Sequence, residues 1–222
     1  MGFKITIDGY AATGKGTVTK EIAKRLNILQ VDSGSLYRTF GLYTIENNVD
    51  ITNEQELEEA ILKSNISLGA DAKVYIGTRD VSSLIRTEQV AKAASNVAKL
   101  RKVREYILKI QRGLSKEQDV IMEGRDIGSE VFPDAELKIF LNADVEERAK
   151  RRYLELVNKG KDVNFEEVRA QLIERDKEDS TREISPLIKT EDMIEIDTTN
   201  MTPEQVIEKI LGLVSKKGLG CF

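Results

Sequence analysis

Residues 9–17 read GYAATGKGT and follow the strand-like run FKITID. The spacing Gly9-x4-Gly14-Lys15 is that of a phosphate-binding loop. Glycines let backbone approach a phosphate, successive N–H groups converge on it, and the N-terminus of the following helix adds favourable dipole charge. Lys15 would reach terminal phosphates and neutralise charge that develops in phosphoryl transfer. Gly16 stands where Ser or Thr is usual, so direct hydroxyl ligation of Mg2+ is lost there and Thr17 supplies the next hydroxyl. Gly9, Tyr10, Ala11, Ala12, Thr13, Gly14, Lys15, Gly16 and Thr17 are therefore the candidate contacts for a ligand's phosphates. A purely structural glycine turn would not need strand, loop and helix in this order.

Three other stretches carry anion chemistry. DSGSLYR, residues 32–38, places small hydroxyl residues ahead of Tyr37 and Arg38, whose planar fork can grip a phosphate. Alone, it also fits a capped helix with a surface arginine. EGRDIGSEVFPDA, residues 123–135, runs from a strand into Gly124-Arg125-Asp126. Arg125 offers bidentate donors and Asp126 only acceptors, a pair able to read a phosphate and a base amino group, or to form a plain ion pair in a turn. Arg148, Arg151 and Arg152 lie at i, i+3, i+4 on one helix, with Arg148 and Arg152 flanking the stripe of Val145, Ala149 and Leu156. A solvated charged face is the ordinary alternative. ERDKEDSTR, residues 174–182, adds Arg175, Asp179 and Arg182. The turn at residues 158–163 would let these two helices move as a lid that gathers charge and excludes water.

Short apolar runs at 3–7, 28–31, 119–122, 137–141 and 193–196 read as strands. Helical patterns separate them: 15–26, 36–47, 53–63, 88–99, 102–114, 144–157 and 165–179, and a last helix opened by Thr202-Pro203-Glu204-Gln205, a cap with proline at the first position and a capping-box glutamine. Asn53 with Glu56, and Asp144 with Glu147, fit the same box. Residues 65–81 alternate at Ile66, Leu68, Val74 and Ile76 around a turn at Gly69-Ala70-Asp71, which predicts a small hairpin or meander. Strands alternating with helices predict an α/β fold, a parallel sheet covered on both faces, with ligands beyond the carboxyl ends of its strands. The turns at 9–17, 32–34 and 123–126 should then share one edge.

The 222-residue chain is 40% hydrophobic and 32% charged, with net charge −4, which does not favour nucleic acid. It holds no histidine, excluding histidine bases and ligands, and one cysteine, Cys221, excluding an internal disulfide framework. No run reaches membrane-spanning length and the N-terminus enters a strand directly, so a cytoplasmic protein is expected. The tail KKGLGCF reads as frayed.

Taken together, these segments resemble the bacterial cytidylate kinases along nearly the whole chain. The resemblance is carried by ITIDG, the GKGT loop, DSGSLYR, VSSLIRTEQVAKAASNVAKLRKVRE, EGRDIGSEVFPDAELKIFL, ERAKRRYLEL, RDKEDSTR and IDTT. GRDIG-x-x-VFPDA together with DSG-x-x-YR is highly specific, and GKGT is the form seen in nucleoside monophosphate kinases. The family implies a five-stranded parallel sheet flanked by helices. It implies a core at 1–31, 101–147 and 183–222, a monophosphate-binding region at 32–100 with a β insert near 65–85, and a short helical lid at 148–182. It implies transfer of the γ-phosphoryl group of ATP to CMP or dCMP with Mg2+, by a monomer without nucleic-acid or membrane partners.

Carried over at matching positions, Lys15 and the 9–17 loop hold ATP phosphates. Arg38, Arg125 and Arg182 hold the CMP phosphate, with Tyr37 beside Arg38. Ser33, Ser95, Arg104 and Asp126 read cytosine, and Arg175 and Asp179 meet the sugar. Arg148, Arg151 and Arg152 lie near the transferring phosphate. Tyr10 departs from the family, where proline is usual. The inventory suits the chemistry independently: a phosphate nucleophile is already anionic, so no general base is required. Two rivals remain at this level, another small-molecule kinase with a phosphate-binding loop and a nucleotide-switched binding module.

Overall fold

The computed structural model describes residues 2–69, 72–116 and 118–219. Ala70 and Asp71 of the expected turn, and Cys221 of the tail, lie outside the described residues. The chain divides into two compact units, one formed by Leu29–Gln118, the other by Phe3–Ile28 with the chain from Asp119 onward.

In the latter unit, β1 (Lys4–Gly9) is buried along its length, and Ile5, Thr6 and Ile7 are β-branched residues suited to a pleated strand. It pairs in parallel with β6 (Val120–Gly124) and with β7 (Leu137–Asn142), and β7 pairs in parallel with β8 (Ile194–Asp197). The five-stranded sheet has the order β2-β6-β1-β7-β8, with β2 at Leu29–Asp32. Because strand side chains alternate, Ile5 and Ile7 face one side, where Val18, Ile22 and Ala23 of α1 (Lys15–Leu26) and Val206, Ile207, Ile210 and Val214 of α8 (Pro203–Lys216) pack on them. Each of the valine and isoleucine side chains contributes about 1.5–3 kcal/mol by leaving water. α8 opens with the expected capping box of Thr202 and Gln205. α1 ends at Asn27 in the left-handed region, φ 54°.

β1 and β6 run in register, Asp8 opposite Gly124, so the loops that follow them leave the sheet at the same end. A single π turn, Ile127–Val131, follows β6 and was not legible in the sequence. α6 (Val145–Asn158) and α7 (Phe165–Thr181) pack through Ala149 and Leu172, an edge contact of Tyr153 with Phe165, and an Arg169–Glu146 ion pair. Asp144 caps α6 through the N–H of Glu146, and Asn164 caps α7 through Glu166 and Glu167.

The 29–118 unit has its own core, built from Leu36, Phe40, Leu57, Val74, Ile85 and Ile107 among others. α2 spans Ser33–Glu46, three residues earlier than the apolar pattern predicts, because Asp32 already sits at the cap and Ser35 Oγ donates to its carbonyl. α3 (Glu54–Ser64) is capped by Asn53, which accepts from Gln55 and Glu56, while the Glu56 carboxylate accepts from Asp50 N–H. The expected insert is a three-stranded antiparallel meander, β3 (Ile66–Leu68), β4 (Val74–Ile76) and β5 (Arg79–Asp80). A 3-10 turn at Leu84–Arg86 leads to α4 (Glu88–Val97) and α5 (Arg101–Leu114). α2 and α4 cross closely at Gly41, where an added Cβ would stand 2.8 Å from Ala94 N.

Candidate active site

The phosphate loop is shaped by where β1 ends. Gly9 has φ 146°, and a Cβ there would stand 2.0 Å from the carbonyl oxygen of Leu141 on β7. Only glycine fits. Gly14, φ 91°, turns the chain into α1, and Ala12 also takes a positive φ of 59°. Lys15 is buried, and its Nζ donates to Gly9 O at 2.8 Å, Tyr10 O at 2.5 Å and Thr13 Oγ1 at 3.3 Å. Burial, and then the charge of Arg125, push its ammonium well below the usual lysine range. Gly16 and Thr17 are exposed. A Cβ on Gly16 would lie 3.2 Å from Glu123 Oε1, so a carboxylate occupies the neighbourhood a hydroxyl side chain would take.

Asp8, fully buried just before Gly9, accepts Ile127 N–H at 2.9 Å and Gly128 N–H at 2.7 Å. It thereby ties the strand feeding the phosphate loop to the π turn after Asp126. Burial raises its carboxyl to about 6, against the opposing effect of those two N–H groups.

Arg125 Nε donates to Asp179 Oδ2 at 2.7 Å, and its Nη1 to Gly124 O at 3.2 Å. Arg182 lies 3.8 Å from Asp179 Oδ1 and 3.7 Å from Asp126 Oδ1. Two arginines and two carboxylates, far apart in sequence, are thus gathered beside Lys15, and exposed Arg175 adds its charge there. The arginine trio on α6 separates. Arg148 is buried, with Nε on Ala143 O at 2.9 Å and Nη1 on Ala11 O and Asp176. Arg151 Nη2 donates to Thr198 O at 2.6 Å, tying α6 to the end of β8. Arg152 is 42% exposed and pairs with Glu155.

In the 29–118 unit, Arg38 pairs with Asp32, and its Nε is buried with no hydrogen-bond partner among the described residues. A planar fork with an unsatisfied buried donor suits an anion. Ser33 Oγ accepts from Gln111 Nε2 at 2.9 Å. Buried Arg104 lies over the Tyr37 ring, 5.6 Å from its centroid, and donates to Ala98 O at 3.1 Å. Ser95 is exposed on α4.

Residues 5–216 match the profile of the cytidylate kinase family. The chain belongs to the cytidylate kinase family. It is 47% identical over 214 residues to the cytidylate kinase of Bacillus thuringiensis (strain Al Hakam), covering 95% of each chain. It is 48% identical over 214 residues to that of Bacillus cereus (strain B4264), again covering 95% of each. Among solved structures, an uncharacterized protein from Eubacterium ventriosum superposes with a TM-score of 0.53 at 13% identity, over 97% of this chain and 99% of that one, a likeness of fold.

Four further polar residues take part in these arrangements without standing out in the sequence: Asp8, Glu123 and Asp176 around the phosphate loop, and, within the 29–118 unit, Gln111. Two left a trace. Asp8 is a lone carboxylate in an otherwise buried strand, and Gln111 falls four residues after Ile107 and eight after Val103 on the buried stripe of α5. Glu123 closes the apolar run of β6 and Asp176 sits inside a charge run, and neither left one.

Proposed function

We infer that the protein is an ATP-dependent cytidylate kinase, transferring the γ-phosphoryl group of ATP to CMP or dCMP and giving ADP with CDP or dCDP. The observation that best supports this reading is the Arg125–Asp179–Arg182–Asp126 cluster beside Lys15, a second anion site with a carboxylate at hand. Lys15 and the amides of residues 9–17 hold the ATP phosphates, while Arg38, Arg125 and Arg182 hold the phosphate of CMP. Ser33, Ser95, Arg104 and Asp126 read cytosine, Tyr37 supports Arg104, and Arg175 and Asp179 meet the sugar. Arg151 and Arg152 gather charge around the transferring phosphate, with the far ends of α6 and α7 and the turn joining them acting as the lid, while Arg148 adds its charge from beneath the loop, where it bonds Ala11 O and Asp176.

A CMP phosphate oxygen attacks the γ-phosphorus, and the bond from that phosphorus to the β–γ bridging oxygen breaks, with the electron pair leaving on ADP. The monoester phosphate is largely dianionic at neutral pH, so a chain without histidine lacks nothing for this step. Catalysis is then positioning and charge stabilisation by lysine, arginine and backbone N–H groups.

Mg2+ fits the donor set. Glu123 places a carboxylate beside Gly16, and Thr17 offers an exposed hydroxyl. Mg2+ characteristically takes one or two carboxylates together with phosphate oxygens and water. When bound, it would neutralise charge on the phosphate oxygens.

No helix of the described residues is long and apolar enough to cross a membrane. With net charge −4 and small-molecule substrates, the reading extends to a cytoplasmic monomer that needs neither nucleic acid nor membrane. The test is ADP release from Mg·ATP with CMP, dCMP, UMP, AMP and shikimate as separate acceptors. Turnover confined largely to CMP and dCMP is expected. Turnover with another acceptor alone would overturn the cytosine-reading roles, and acceptor-independent hydrolysis alone would overturn the kinase reading.

A further inference from the structure

Ala11, inside the phosphate loop, is held at both of its backbone polar groups by side chains from two helices. Asp176 Oδ1, on α7, accepts Ala11 N–H at 3.3 Å. Arg148 Nη1, on α6, donates to Ala11 O at 3.3 Å. The two side chains also bond each other, Arg148 Nη1 to Asp176 Oδ2, and both are largely buried at 7% and 12% side-chain exposure. Arg148 is fixed further by Ala143 O and by the Tyr10 ring, whose centroid lies 5.1 Å from the guanidinium carbon. Tyr10 itself rests edge-on against Phe140 of β7, centroids 5.8 Å apart.

We propose that Asp176 is a positioning residue for the phosphate loop, acting through Ala11 and Arg148, and that Tyr10 completes the clamp by supplying the aromatic face on which Arg148 rests. A phosphate loop works only if its N–H groups converge on one point, so the peptide planes on either side of Ala11 must be fixed. Gly9, Ala12 and Gly14 all take positive φ angles, and such a loop has few local means of holding its shape. The clamp provides that hold from outside. A carboxylate this near a phosphate site would repel ATP if uncompensated; pairing with Arg148 offsets its charge and leaves its geometry. Proline at position 10 would restrict the loop through its own φ. Tyrosine cannot do so, and here restraint comes from α6 and α7 instead.

The proposal rests on residues 9–17 holding ATP, and its main readout, ATP affinity, does not depend on the acceptor. Equilibrium binding of ATP is measured by calorimetry on the full chain, alongside KM for CMP and the melting temperature. Asp176→Ala should raise the Kd for ATP about tenfold, and Asp176→Asn, which keeps an oxygen for Ala11 N–H, only about threefold. KM for CMP should change less than about twofold in both. Should Asp176→Ala fail to fold, Tyr10→Leu carries the test, with an expected ATP-selective loss of about threefold. Tighter ATP binding in both Asp176 variants would mean that the carboxylate acts only by charge. Equal losses for ATP and CMP would mean a general structural role, and unchanged ATP affinity in folded variants no role at all. Each of these overturns the proposal, as does a wild-type chain that binds no ATP. ATP binding without CMP turnover would instead sink the acceptor assignment and leave this test standing.

Discussion

Gln111 Nε2 donates to Ser33 Oγ at 2.9 Å, across 78 positions of sequence, with both side chains buried. A buried carboxamide is costly unless paired. This bond takes one lone pair of the Ser33 oxygen and leaves its proton to donate, so the helix α5 that carries Arg104 also sets the direction of the Ser33 hydroxyl.

If Ser33 reads the base, Gln111→Leu should raise KM for CMP about fivefold, the worth of about one buried hydrogen bond, and leave KM for ATP within twofold. Steady-state kinetics with each nucleotide varied in turn checks this. A parallel rise in both KM values would assign Gln111 to packing alone.

Lys15→Ala should lower kcat by about a hundredfold or more, as loss of a charge-stabilising donor does. Its present partners are oxygens of its own loop, so the circular dichroism spectrum should stay that of a folded α/β chain. Retained turnover would refute the assignment.

The Asp8 carboxyl, raised by burial from the ordinary 3.8 to about 6, makes stability depend on pH. The folded chain then binds more protons than the unfolded chain between those values, so the contribution of Asp8 falls as pH rises through that window and levels off above it. The swing is about 3 kcal/mol. Asp8→Asn cannot ionise. Urea unfolding at pH 4 and pH 7 should show the variant gaining on wild type at the higher pH; a difference independent of pH would contradict the raised value.

Gly9→Ala should cost more than about 3 kcal/mol, since both φ 146° and the 2.0 Å approach to Leu141 O forbid a Cβ. Gly41→Ala should cost less, about 1–3 kcal/mol, because α2 and α4 can separate slightly where the Cβ would stand 2.8 Å from Ala94 N. Thermal melts of the two variants would rank them, and the reverse order would overturn this account.

What the sequence determined by itself was whatever depends on local pattern. Val18, Ile22 and Ala23 at helical spacing gave α1, and Thr202-Pro203-Glu204-Gln205 gave the start of α8. The alternation around residues 66–76 gave the meander, and the glycine spacing gave the phosphate loop. Propensity, capping and period act within a few residues, so they can be read from them. The partners of the buried charged groups were decided by tertiary structure. Arg148 and Arg151 have the same spacing pattern as Arg152, yet packing buries Arg148 against the phosphate loop, ties Arg151 to Thr198 and leaves Arg152 exposed. Asp8 meets the amides of residues 127 and 128, and Asp176 meets Ala11, only because parallel strands and long crossovers bring distant chain together. A buried charged side chain must find its counterpart wherever the fold places it, and its neighbours along the chain do not record where that is.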